Sequence, residues 1–221
     1  MEHFRPVRGL GRAASALIWL VAIANVANAA SDWFTYSAIQ AYRTRIDSAG
    51  AIITAERINL VASASLSLLL LAAGIVFILW TYNARVNAER LTYAAEHRRS
   101  RTWVWLSWFV PFVNFWFPKQ VIDDIWRASD PRQQGVPLRQ RMQHRLTTQW
   151  WTAFVLMWIF ERAYLRTYRL GVPISDTFLS TAIFSSLAAA AGIVAAISAV
   201  QVVRRITEFQ STPHLVQSSS D

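Results

Sequence analysis

The chain has 221 residues, 54% hydrophobic and 16% charged, with a formal net charge of +9. That balance is too apolar and too poorly charged for an ordinary soluble domain of this size. The absence of cysteine excludes disulfides, thiolate nucleophiles and cysteine metal sites, and the arginine excess reads as cytoplasmic loop charge of a multi-pass membrane protein rather than as a nucleic-acid footprint.

Residues 1–12 are basic through Arg5, Arg8 and Arg12 and read as a cytoplasmic N-terminus. Residues 13–34 form the first predicted span. The run 13–30 is free of charge and, at about 1.5 Å per residue, crosses most of a hydrocarbon core of roughly 30 Å. A basic start, an apolar run and Ala27-Asn28-Ala29 also fit a secretory signal with a cleavage site. A retained helix is the preferred reading, because Trp33 and Phe34 suit an interfacial anchor. Asn25, Asn28 and Asp32 also share one helix face, a stripe that a disposable signal does not need. Such polar groups are expected to face the bundle interior and find partners there. Interhelical hydrogen bonding is the plainer reading of this face, and a polar solute path the sharper one.

Asp47-Ser48-Ala49-Gly50 reads as a turn. The second span, 58–82, is the clearest, with Ser63, Ser67 and Gly74 as small contact residues and Trp80 and Tyr82 at its far interface. Residues 83–101 are mostly polar and rich in arginine, and are expected to form a surface or juxtamembrane helix.

Five of the eleven tryptophans fall in residues 103–131. The stretch 103–118 is shorter than a normal span, and Pro111 disfavours a continuous helix. Irregular backbone at membrane depth is tolerated only when buried in protein or lining a wet cavity. Two forms follow: a re-entrant loop with Asn114 nearest its apex, or an interfacial segment with its tryptophans at headgroup level. Pro118 then suits the first turn of a helix, and 119–129 reads as an amphipathic one. Its face of Val121, Ile122, Ile125 and Trp126 is apolar; Asp123, Asp124 and Arg127 are expected to point away. Asp123 and Arg127 have the spacing of a modest surface pair, and Asp130-Pro131 ends the helix.

Residues 132–149 form a polar connector, in which Leu138, Met142 and Leu146 are expected to start a helix continuing into the third span, 150–168. Glu161 near its far end is expected to pair with one of Arg162, Arg166 and Arg169. A turn at 171–176 leads to the last span, 177–203, where Ala188, Gly192 and Ala196 place a small residue at every fourth position for close helix packing. The Ser- and Gln-rich tail, 206–221, reads as disordered. With four spans and both termini cytoplasmic, sixteen of the Lys and Arg residues lie inside and six outside. A fifth crossing at 103–118 would move 119–145 outside and largely erase that asymmetry. The expected fold is therefore all-α: an integral membrane four-helix bundle, 13–205, with a proline-broken, Trp-rich segment between its second and third spans.

One ordered set of motifs is specific. Trp80-Thr81-Tyr82-Asn83-Ala84-Arg85-Val86-Asn87-Ala88 is followed by Trp105 and by WFVPFVNFWFP at 108–118. Then come Ile125-Trp126-Arg127-Ala128-Ser129-Asp130-Pro131 and Trp150-Trp151. This order resembles a bacterial multi-pass membrane family catalogued as domain of unknown function 4328, over about Ile58 to the C-terminal span. Asp124 departs from the glutamate expected of that pattern but keeps the charge. The resemblance implies a membrane location, here the bacterial inner membrane, and brings no activity, substrate or catalytic residue. It singles out Trp108, Pro111, Asn114, Trp116, Pro118, Asp124, Trp126, Arg127, Ser129 and Pro131 as a candidate functional or structural set, beside the polar face Asn25, Asn28 and Asp32.

His3, His97, His144 and His214 are dispersed without metal-ligand spacing. Asp123 and Asp124 are adjacent and diverge around a helix, which is poor geometry for shared acid-base work. Gly9-Leu10-Gly11 is too little for a phosphate loop. No catalytic, cofactor or metal set emerges. The expected function is a non-catalytic membrane protein that organises lipids or protein partners at the inner membrane surface, with anionic headgroups on its basic central run. The alternative is a small channel or transporter component using the re-entrant segment, which with four spans implies a homo-oligomer.

Overall fold

The computed structural model describes residues 4–44, 49–169 and 174–211. Among these every regular element is a helix, with no strand. Four long helices, α1 (Arg8–Arg43), α2 (Ala49–Leu91), α5 (Arg145–Arg169) and α6 (Ile174–Phe209), carry two shorter ones between α2 and α5, α3 (Trp103–Leu106) and α4 (Phe117–Ser129). Three of them, α1, α2 and α6, are long and apolar enough to cross a membrane. The 25-residue α5 has the length for a span, but Glu161 and Arg162 interrupt its apolar run.

The long helices outrun the predicted spans. The 43 residues of α2 extend about 65 Å, roughly twice a hydrocarbon core. Residues 83–91 accordingly continue α2 instead of forming a separate surface helix, and Arg85, Val86, Asn87 and Ala88 are buried. Trp80 is buried too rather than interfacial, its Nε1 donating to Thr207 Oγ1 at 3.1 Å. Residues 206–209 of the expected tail belong to α6, and from 212 on it lies outside the described residues, as do 47–48 and 171–173 of the two expected turns; Ala49 and Gly50 instead open α2, and 174–176 open α6. Leu138 does not begin the helix of the third span. Its N–H is taken by Glu96 Oε2 at 2.8 Å, which holds it in a 3-10 turn (Leu138–Gln140), and α5 starts only at Arg145.

Two compact units share the long helices. The polar unit comprises 1–17, 73–151 and 197–221. It holds the largest fully buried side chains: Trp80, Arg85, Ile122, Ile125, Leu138 and Ile206. Asn87 is its knot. It accepts the Arg5 N–H at 2.8 Å, donates to the Arg5 carbonyl at 2.9 Å and to Gln210 Oε1 at 3.2 Å, and so joins the N-terminal segment, α2 and the end of α6.

The apolar unit comprises 18–72 and 152–196 and packs in the opposite sense. Its large side chains face outward, with Leu60 and Leu68 each 70% exposed, while Ala22, Ala29, Ala55, Ala182, Ala188 and Ala196 are buried. Small residues inside and leucines outside is the packing of helices in lipid, where burying a leucine against protein gains little over burying it in acyl chains. Of the expected small-residue positions, Gly74 meets open space, whereas Gly192 is packed against α1 and α5. A Cβ there would lie 3.2 Å from Asn25 Nδ2 and 3.3 Å from Met157 Sδ. Glu161 makes no ion pair with Arg162 or Arg166; Arg162 lies over the Trp158 ring at 4.7 Å instead, and the Arg169 side chain is outside the described residues.

Gly192→Val is expected to wedge α6 from α1 and α5, at a cost of about 1–3 kcal/mol. Thermal unfolding of the purified protein in detergent measures it; a melting temperature equal to that of the natural chain would show that the contact is slack.

Candidate functional site

The candidate site forms around α4 in the polar unit. Pro118 stands in its first turn, where a missing N–H costs nothing. Its last carbonyls are closed by Arg141, whose Nη1 donates to the carbonyls of Arg127 at 2.8 Å and Ala128 at 3.3 Å. This satisfies orphan acceptors and places a cation at the negative end of the helix dipole.

The charged face of α4 does not point to solvent. Asp123 is 2% exposed, Asp124 1% and Arg127 6%. The physical reason is countercharge: Arg98 from the segment after α2 covers that face, together with Lys119 and Arg127 of α4 itself. Asp124 Oδ1 receives Arg98 Nε at 2.9 Å and Arg127 Nη2 at 2.5 Å, and its Oδ2 receives the Arg98 backbone N–H at 2.9 Å. Asp123 pairs with Lys119 at 2.7 Å, and the expected surface pair with Arg127 is replaced by the Arg127–Asp124 bond. A second cluster lies on α2. Glu89 takes Arg85 Nε at 2.9 Å and Arg101 Nη2 at 2.6 Å, while Arg85 Nη2 donates to the Arg99 carbonyl at 2.7 Å. Arg98, Arg99 and Arg101 thus staple the segment after α2 onto α4 and back onto α2. Arg99 also sits 3.6 Å over the Phe117 ring.

The other members of the motif divide. Ser129 is buried and accepts Gln210 Nε2 at 2.8 Å. Trp126 is buried, stacked on His144 with centroids 4.6 Å apart and meeting Phe209 edge-on at 5.6 Å. Trp126, His144 and Phe209, with Arg132, Arg204 and Arg205, line a cleft of about 780 Å³. Pro118 is buried and Pro131 exposed. Trp108 packs edge-on against Phe77 and Trp151, and Trp151 Nε1 donates to the Phe115 carbonyl at 2.8 Å. Pro111 and Trp116 are exposed, and Asn114 keeps a buried Oδ1 without a hydrogen-bond partner. Asn25, Asn28 and Asp32 belong to the apolar unit, not to this site. There Ser63 Oγ donates to Asn28 Oδ1 at 2.9 Å and Asn59 Nδ2 to Asp32 Oδ1 at 2.7 Å, the interhelical bonding of the plainer reading. Asn25 Nδ2 has only the soft Met157 Sδ, at 3.8 Å.

Sequence reasoning missed Arg85, Glu89, Arg98, Arg101, Arg141 and Gln210. A signal existed for the first two, which stand four apart on one helix face. Nothing local marks the others, whose partners are distant in the chain.

Several titrating groups of this unit are perturbed. Burial, and then the neighbouring Arg85 charge, push His97 down to about 4, and Thr92 Oγ1 lies 3.1 Å from its Nε2. Burial raises the Asp130 carboxyl, but the Arg132 fork outweighs it and holds the group below its usual range. Burial lowers Arg141 against the pull of Glu96 and Asp130. Among the described residues no group of three or more His, Asp or Glu is arranged to hold a metal ion. The arrangement orders backbone and buries charge.

A family model described as "Domain of unknown function (DUF4328)" matches residues 43–208, about three quarters of the chain. No curated protein and no solved structure matches it.

His97 gives this site a pH signature. Its folded pKa lies below the unfolded 6.5, so the unfolded chain binds more protons between about pH 6.5 and 4. Stability contributed by the neutral ring is present above 6.5 and lost as pH falls through that window, up to about 3 kcal/mol. His97→Gln is expected to flatten the fall of melting temperature over this range; an unchanged slope would show that His97 is not buried neutral.

Proposed function

The chain belongs to the family described as domain of unknown function DUF4328, and from its exposed aromatic apex we propose a non-catalytic integral membrane protein that organises lipids or protein partners at the inner membrane surface. In this reading α5 joins α1, α2 and α6 as a fourth span, and both termini are cytoplasmic. The charge asymmetry between the two sides supports that orientation.

One observation carries the reading. Between α3 and α4 the chain turns its aromatics outward, with Phe109 74% and Phe112 78% exposed. Phe112 forms the centre of a γ-turn: its φ is +64°, and the Val113 N–H donates to the Pro111 carbonyl at 2.8 Å. A left-handed phenylalanine costs on the order of 1–3 kcal/mol, a strain typical of functional positions. In water these rings would forfeit roughly 25 cal/mol per Å² of apolar surface. An acyl-chain boundary recovers that energy and suits Trp105 and Trp116, which are also exposed.

The interfacial form of the segment fits this better than a loop packed among spans, which would cover the rings with protein. Exposed arginines of the same unit, Arg139 and Arg204 among them, suit anionic headgroups near such a surface. The channel reading draws on Asn114, whose buried, unpartnered Oδ1 is a group that a permeating solute would find.

The chain has no native thiol, so Phe109→Cys gives one labelling site. An environment-sensitive fluorophore there is expected to emit as in an apolar medium and to be quenched by shallow spin-labelled lipids in vesicles. Water-like emission indifferent to lipid quenchers would overturn the interfacial reading. Apolar emission shielded from every lipid quencher would favour the re-entrant loop.

A further inference from the structure

The apolar unit contains a carboxylate that its neighbours leave half satisfied. Asp32, in α1, is 3% exposed. Its Oδ1 accepts Asn59 Nδ2 at 2.7 Å, an amide that also reaches Ser31 Oγ at 3.3 Å. Its Oδ2 is buried and has no hydrogen-bond partner. The Ser185 and Tyr164 hydroxyls face the same carboxyl from α6 and α5. Glu161, also on α5, stands near enough to feel the charge of Asp32.

No described cation answers either acid. The arginines of this unit with described side chains, Arg43, Arg57, Arg162 and Arg166, are exposed, as is Glu56. The groups that titrate and face Asp32 are Glu161 and Tyr164, and α2 offers it the neutral Asn59.

A carboxylate with one bare oxygen in such surroundings is too costly to persist ionised and without a countercharge. It must hold a positive charge, and the neighbours decide which kind. Asn59 and Asn28 carbonyl oxygens and the Ser31, Ser185 and Tyr164 hydroxyls are neutral hard donors. One buried carboxylate among neutral oxygens balances a single positive charge, and among the described residues no set of three or more acidic or histidine ligands fits a metal ion.

We propose that Asp32, with Asn59 and the Ser185 and Tyr164 hydroxyls, forms an exchangeable site for one positive charge, a proton or a sodium ion, inside the apolar unit. The Oδ2 atom is where the charge sits. Asn59 fixes the carboxyl through Oδ1 and leaves Oδ2 to the ion, and Glu161 adds a second acid that keeps the site attractive to cations. Exchange needs no covalent step: a proton leaves Oδ2 as the sodium ion arrives, or leaves to solvent when proton alone is the ligand. This inference is independent of the aromatic apex, and its failure would leave the fluorophore result untouched.

Infrared difference spectroscopy of the full chain in lipid nanodiscs tests it through the C=O stretch of protonated carboxyl groups. Spectra are taken between about pH 5 and about pH 9, with sodium replacing N-methylglucamine at constant ionic strength. The expected result is a protonated-carboxyl band that disappears as pH rises, with a component that is lost in Asp32→Asn and kept in Glu161→Gln. Loss of the band on adding sodium at fixed pH identifies sodium as the ion; dependence on pH alone identifies the proton. A spectrum invariant to both pH and sodium in the natural chain would overturn the proposal, a result that does not depend on whether any variant folds. So would a pH-dependent band of unchanged intensity in Asp32→Asn.

Discussion

The polar unit depends on the bond set around Asp124. One carboxylate, almost wholly shielded from solvent, is shared between Arg98 from the segment after α2 and Arg127 from its own helix. Pairs of this kind are not strong because they are ionic. Desolvating the charges consumes most of the attraction, and their value lies in what happens when one partner is lost, which costs about 3–5 kcal/mol. The geometry is therefore specified more than it is stabilised. Arg98 can meet both oxygens of Asp124 only if residues 94–101 lie against α4. That placement brings Arg99 over Phe117 and Arg101 onto Glu89. Glu96 then reaches the Leu138 N–H, and Arg141 returns to close the end of α4.

The two units solve opposite solvation problems with the same helices. In the polar unit, water is the alternative environment, so large apolar side chains go inside and buried charges carry partners. In the apolar unit, acyl chains are the alternative. Leucine gains nothing by going inside, and alanine and glycine bring backbones together while Asn28, Ser63, Asn59 and Asp32 bond across helices. An exception is the aromatic apex between α3 and α4, which gathers several exposed large rings in one short segment. That exception is what the proposed lipid boundary accounts for.

Much of this was legible in the chain. The three most apolar helices follow from length and composition, and the start of α4 at Pro118 follows from proline chemistry. The partners of Asn28 and Asp32 were expected in kind, because polar groups at membrane depth must bond to something. The burial of Asp123, Asp124 and Arg127 was not legible. Helical periodicity assigns a charged face to solvent unless another segment supplies countercharge, and the supplier, Arg98, is 26 residues away. The polar run after Trp80 misled for the same reason: Arg85 and Asn87 look solvent-facing in a sequence, yet Glu89 bonds to the first and Arg5 and Gln210 to the second. The helix boundaries failed differently, because a helix leaving the membrane has no reason to stop where its apolar run does.

Helix α4 is thus a buried, charge-locked helix rather than an amphipathic one lying on a surface. Amide hydrogen exchange of the full chain in lipid nanodiscs tests this directly. If the Asp124 bond set organises the polar unit, the amides of Val121 to Arg127 exchange only with global opening, in step with those of Arg85 to Ala88. Exchange of the α4 amides by fast local opening, while the α2 amides stay protected, would contradict it.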